Sequence, residues 1–171
     1  FSMQFSQLKK IINGTIVQQS VDRNVDELII DSRKARAGDG ALFFAIRGAK
    51  HNGHSYIPQL YYNGVRQFVI EEAVDVRKFP EANFIQVTSS TDALQMIAAF
   101  HRNRFTIPVI GVTGSNGKTI VKEWLYHLLS PQYTIVKNPG SYNSQVGVPL
   151  SVWQLQPYHT LGIFEAGISR P

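Results

Sequence analysis

The stretch Gly111-Val-Thr-Gly-Ser-Asn-Gly-Lys-Thr119 decides the fold of the second half of this chain. It is close to the phosphate-loop pattern G-x-x-x-x-G-K-[ST], whose backbone N–H groups cradle phosphates while its lysine reaches the β- and γ-phosphates. One position departs from that spelling: counting back from Gly117 puts Val112 where the first glycine belongs. A short apolar run, 109–112, precedes the loop and reads as a strand. After it, Val121, Trp124, Leu125, Leu128 and Leu129 recur at helical spacing and are expected to form one apolar face. Strand, glycine loop and helix in that order place Gly114, Gly117 and Lys118 at a helix N-terminus, where unpaired N–H groups and the helix dipole favour an anion. On this reading Lys118 is the catalytic residue and the Thr119 hydroxyl ligates Mg²⁺. The competing reading is an ordinary glycine-rich turn with a solvated lysine.

Working outward, residues 133–136 and 160–165 read as strands, and Pro149 fits the first turn of a helix through about residue 155. Alternation of strands and helices implies a parallel sheet with crossover helices, the α/β class. Glu165 closes the last strand, where a carboxylate can complete a magnesium site. An exposed glutamate, or one paired with a lysine, fits that position equally well. The segment 137–149 holds two glycines, two prolines, two asparagines and two serines, and so reads as a loop. At the carboxyl edge of a parallel sheet such a loop lies where α/β folds bind ligands.

Upstream, residues 28–30, 41–46, 67–70 and 84–87 are strand candidates, 55–62 a helix, and Ser90 or Thr91 caps a longer helix ending near residue 104. The mixed segment 103–108 reads as a linker and divides the chain into domains 1–105 and 106–171. With 43% apolar residues over 171 positions the chain can bury a sizeable core. A net charge of +5 favours anionic partners without choosing among them. Zero cysteines exclude disulfides and thiolate metal sites and make a reducing cytoplasm the default. His51 and His54 have H-x-x-H spacing but lack a third ligand, so no zinc site is expected. Arg33, Lys34 and Arg36 read by themselves as a solvated basic turn, and the basic clusters lack the interleaved aromatics of a nucleic-acid binder. Phe1-Ser2 before Met3 predicts a vector remnant, and an end at Pro171 directly after a strand pattern predicts truncation.

Together with YNSQVGVP (142–149) and FEAG (164–167), GVTGSNGKT resembles the central ATPase domain of the Mur ligases, which build the peptide stem of bacterial peptidoglycan. That family commonly spells the loop G-x-T-G-[ST]-N-G-K-T, so Val112 is expected there. DSRKARAGD (31–39), LFFAIRG (42–48) and NGHSYIP (52–58) resemble the UDP-substrate domain of the same ligases, and the resemblance spans nearly the whole chain. The fold it implies is a small N-terminal α/β substrate domain followed by the first part of a P-loop parallel-sheet ATPase domain. The activity it implies is ATP-dependent amide ligation in peptidoglycan precursor synthesis, with ATP and Mg²⁺. Residues 121–123 and 143–149 look most like the branch that adds D-Ala-D-Ala to UDP-MurNAc-tripeptide through an acyl phosphate. The branch adding the third stem amino acid is the alternative, and a non-catalytic UDP-ligand or nucleotide-binding module is the non-enzyme one. Folylpolyglutamate synthetases share similar loops, but the DSR and NGHSYIP segments weigh against them.

Carried over by position, Thr113, Gly114, Ser115, Asn116, Gly117, Lys118, Thr119 and Asn143 hold the nucleotide, and Thr119 and Glu165 hold Mg²⁺. Ser32, Arg33, Gly48, Ala49, Lys50 and His51 face the UDP-muramoyl ligand, where an arginine fork suits a diphosphate. Two departures stand out. Ile120 occupies a place where a second Thr or Ser is frequent. The family's later parts, a carbamylated lysine that helps bind a second magnesium and a C-terminal domain that receives the amine, have no counterpart in these residues. In some relatives the ligase is also fused to an alanine racemase.

Overall fold

A computed structural model describes residues 3–34, 38–48 and 51–167. It divides into two compact units, Phe1–Met96 and Ile97–Pro171.

The first unit contains α1 (Phe5–Ile11), β1 (Thr15–Gln18), β2 (Glu27–Ile29), β3 (Ala41–Phe44), α2 (Ile57–Tyr62), β4 (Gln67–Ile70), β5 (Asn83–Gln86) and the start of α3 (Ser90–Arg102). Its five-stranded sheet runs β1-β5-β4-β3-β2, with β1 antiparallel to β5 and the other pairings parallel. The runs 41–44 and 67–70 are buried at every position, as strands covered on both faces must be. Phe68 stacks on Phe84 at 5.1 Å and meets Phe43 edge-on at 6.3 Å. Each such ring contributes roughly 1.5–3 kcal/mol by leaving water. α1 and β1 have no counterpart among the expected elements: β1 is four residues long with alternating exposed and half-buried positions, and α1 is seven residues long with only Phe5 and Leu8 buried.

Between β3 and α2 the chain turns through a 3-10 segment, Gly53–Tyr56, capped by Asn52. A Cβ at Gly53 would lie 2.8 Å from the Ile46 nitrogen, so only glycine allows this return past β3. His54 locks the turn. Its Nδ1 lies 2.7 Å from Asn52 Oδ1, and its Nε2 accepts from the Glu71 and Glu72 amides at 2.9 and 3.2 Å. Accepting at Nε2 requires the neutral ring, and burial holds His54 below the usual histidine pKa. The unfolded chain therefore binds more protons than the folded one below about pH 6.5, and stability falls as pH drops through that window. Urea midpoints followed by far-UV circular dichroism are expected to fall between pH 7.5 and 5.5, and His54→Gln is expected to flatten the dependence. An unchanged slope in that variant refutes this assignment.

The second unit contains β6 (Val109–Val112), α4 (Lys118–Leu129), β7 (Ile135–Lys137), α5 (Gly147–Val152) and β8 (Leu161–Glu165). Its sheet is parallel throughout in the order β6-β8-β7. Leu161 and Ile163 point to one face, with Val112, Leu125 and Leu129; Phe164 points to the other, with Val136, Leu155, Phe105 and Ile107. The segment 103–108, read above as a linker, lies in this unit, and Arg102 donates to the Phe105 and Ile107 carbonyls at 2.7 and 3.1 Å.

The apolar face expected on α4 is corrected. Leu125 and Leu129 pack on the sheet, whereas Val121, Trp124 and Leu128 are 44%, 67% and 74% exposed. The sheet takes only the i, i+3, i+7 line of the helix, and the first position of that line is Lys122.

Candidate functional site

The three strands described in the second unit end at one edge of its sheet. β6 runs into the glycine loop, β8 into residues 166–167 and β7 into the segment 138–146. In the loop, Gly114 has φ +138° and Gly117 has φ +76°, conformations that side chains disfavour. Gly117 is also the N-cap of α4 and leaves the first-turn amides without a side-chain acceptor. Thr113, Ser115 and Asn116 are exposed, and Gly114 is half-buried. Lys118, the first residue of α4, folds back and donates to the Gly114 carbonyl at 2.6 Å. Val112 is not a loop residue: it ends β6 and is buried in the core, so a glycine there would leave a gap.

Directly behind the loop lies a buried polar cluster. Glu165 is fully buried, and the Thr119 hydroxyl lies 3.0 and 2.9 Å from its two carboxylate oxygens. Lys122 is fully buried too, and its ammonium donates to Glu165 Oε1 at 2.9 Å, to the Asn138 carbonyl at 2.7 Å and to the Gly140 carbonyl. Asn138 clamps the Glu165 backbone in both directions, its Oδ1 accepting from Glu165 N–H and its Nδ2 donating to the Glu165 carbonyl, each at 2.9 Å. Asn143 joins through its carbonyl, which accepts from the Gly167 amide at 2.8 Å. Thus Glu165 is not an exposed strand end; it is paired with a lysine and with Thr119.

Lys122 and Asn138 were missed as site residues in the sequence. The signal available was a lysine on the inward line of a helix that otherwise presents Leu125 and Leu129 to the core. Nearby, Lys137 pairs with Glu123 and lies 4.1 Å over the Tyr126 ring; that hydrogen bond holds the Glu123 carboxyl below the usual range.

Among the described residues no group of three or more His, Asp or Glu side chains could hold a metal. A cation at Thr119 and Glu165 would have to complete its shell with water and phosphate oxygens, which is how magnesium is held in phosphoryl-transfer sites. The donor set, one hydroxyl and one carboxylate, fits magnesium.

In the first unit, β2 and β3 are parallel neighbours, so the loops after them leave the same edge of that sheet. Ser32 and Arg33 lie in a 3-10 turn after β2. The Arg33 guanidinium is exposed and binds Asp31 through two contacts of 3.0 and 2.8 Å, which raises its pKa further. After β3, the Gly48 amide donates to the His51 carbonyl at 2.8 Å, and both residues are exposed. Ala49, Lys50, Arg36 and the side chain of Lys34 lie outside the described residues.

Two family profiles match this chain, the Mur ligase family catalytic domain over residues 24–102 and the Mur ligase middle domain over residues 112–171. The chain belongs to the Mur ligase family. Among curated Mur ligases, the UDP-N-acetylmuramoyl-tripeptide--D-alanyl-D-alanine ligase of Synechocystis is 38% identical over 88% of this chain and 33% of the relative. Among solved structures, MurF from Acinetobacter baumannii superposes with a TM-score of 0.87 at 27% identity, covering 98% of this chain and 36% of that one. MurF from Thermotoga maritima in complex with ADP gives a TM-score of 0.75 at 31% identity over 86% of this chain and 33% of its own. The chain thus spans about a third of the length of the Mur ligases it matches.

Proposed function

We propose that these residues are the substrate-binding and ATP-binding parts of a ligase that adds D-Ala-D-Ala to UDP-MurNAc-tripeptide in the cytoplasm. Residues 1–105 take the UDP-muramoyl peptide, through Ser32, Arg33 and residues 48–51, and residues 106–171 take the nucleotide. The observation that carries this reading is the glycine loop with left-handed Gly114 and Gly117 set over the Thr119–Glu165 pair. The ADP in the Thermotoga relative supports it.

In the proposed reaction the tripeptide carboxylate attacks the γ-phosphorus of ATP, the bond to the β-phosphate oxygen breaks, and an acyl phosphate and ADP form. The D-Ala-D-Ala amine then attacks the acyl carbon and expels inorganic phosphate, leaving the amide. Lys118 swings from Gly114 to neutralise charge on the transferring phosphoryl group, while loop amides and the α4 N-terminus hold the other phosphates. Thr119 and Glu165 would hold Mg²⁺, which would supply charge neutralisation to the phosphates. Asn143, in the segment leaving β7, is assigned to the nucleotide.

These 171 residues are expected to bind Mg·ADP and UDP-MurNAc-tripeptide in separate calorimetric titrations and to release no phosphate from ATP. Failure to bind ADP sinks the nucleotide reading. In the complete enzyme, phosphate release should follow D-Ala-D-Ala; release that follows the third stem amino acid instead would assign the neighbouring branch.

A further inference from the structure

We infer that Lys122 is a resident cation of the nucleotide site, which holds the Glu165 carboxylate in place before a metal arrives and opposes entry of a divalent cation without nucleotide. The inference rests on the reading of Thr119 and Glu165 as the metal-holding pair.

An ammonium has three N–H donors, and all three of Lys122 are spent on the Glu165 carboxylate and the Asn138 and Gly140 carbonyls. It therefore cannot reach a phosphate, which separates its role from that of Lys118. Its contacts join three pieces of chain: helix α4, the end of β8, and the segment leaving β7. A buried carboxylate and a buried ammonium at 2.9 Å cancel in charge, with neither side chain exposed to water. Glu123 Oε1 is 3.8 Å from the same ammonium, but that carboxylate is already paired with Lys137. A free divalent cation approaching Thr119 and Glu165 thus meets no net negative charge, and it meets an ammonium on Oε1. A cation that enters with nucleotide phosphates brings its own counter-charge and is not opposed in this way. Lys122 is a positioning residue in this scheme.

The test removes the charge and keeps the stem. Lys122→Met leaves Glu165 without its cation, and a divalent ion can then take over. Mn²⁺ serves as the probe because it accepts the same oxygen ligands. Both tryptophans, Trp124 and Trp153, lie in the second unit, so fluorescence-monitored melting reports on that unit. In millimolar MnCl2 without nucleotide, the melting temperature of Lys122→Met is expected to rise at least ~5 °C more than that of the wild type. Lys122→Arg, which keeps the charge, is expected to respond like the wild type. Should Lys122→Met be unfolded in metal-free buffer, Mn²⁺ is expected to restore the melting transition. A Lys122→Met response no larger than the wild type's, including failure of Mn²⁺ to restore a transition, overturns the inference. Binding of ADP to the wild-type chain is measured in parallel. If ADP binds and the Mn²⁺ response is absent, this inference alone falls; if ADP does not bind, the nucleotide reading falls.

Discussion

Lys118→Ala is expected to lower turnover of the complete ligase by about a hundredfold to a thousandfold while lowering the melting temperature by only a few degrees. The two halves of that expectation have separate causes. In the structure the Lys118 ammonium makes a hydrogen bond to the carbonyl of Gly114 in its own loop, half-exposed at the mouth of the site. Losing a bond of that kind costs about 1 kcal/mol. On the proposed reading the same ammonium would face phosphoryl oxygens whose charge is redistributing in the transition state, where a preorganised cation has its largest effect. Steady-state phosphate release and a thermal melt on the same preparation check both halves. Turnover within tenfold of wild type would sink the assignment of Lys118, and a collapsed melting transition would show that the lysine is structural.

Glu165→Ala is expected to destabilise the second unit by about 3–5 kcal/mol, a larger structural effect than any change in the glycine loop itself. Truncation strands the buried Lys122 ammonium with two carbonyls and no counter-charge, and removes the acceptor of the Thr119 hydroxyl. Glu165→Gln keeps the shape and an oxygen for Thr119, so its cost should be smaller, while the magnesium dependence of ADP binding should be lost in both. Urea unfolding followed by tryptophan fluorescence reads the stability of this unit, since Trp124 and Trp153 both belong to it. A change below about 1 kcal/mol in the alanine variant would mean that Glu165 and Lys122 do not form a buried pair.

The elements most legible in the sequence were those with a strong local pattern. The expected strands at 67–70 and 109–112 coincide with β4 and β6, and the helix expected from Ser90 is α3. Other boundaries moved by one to three residues, as helix and strand ends do when the last hydrogen bonds are shared with turns. β1 escaped notice because a four-residue edge strand carries too few positions for a period to emerge, and α1 because its seven residues bury only Phe5 and Leu8. The apolar face of α4 was misread for a different reason. Val121, Trp124, Leu125, Leu128 and Leu129 form a broad apolar arc, and periodicity alone does not tell which side of it is turned inward.

The sequence by itself determined the loop. Two glycines, a lysine and a threonine in one contiguous run constitute a local device, and a local device is visible in linear order. It also determined that Glu165 ends a strand. What only the tertiary structure decided is the company Glu165 keeps. Thr119, Lys122, Asn138 and Glu165 lie up to 46 positions apart, and they meet because β8, the last of the described strands in sequence, inserts between β6 and β7. That strand order sets Glu165 beneath the start of α4 and against the segment leaving β7, where burial demands a partner for every charge and hydrogen-bonding group.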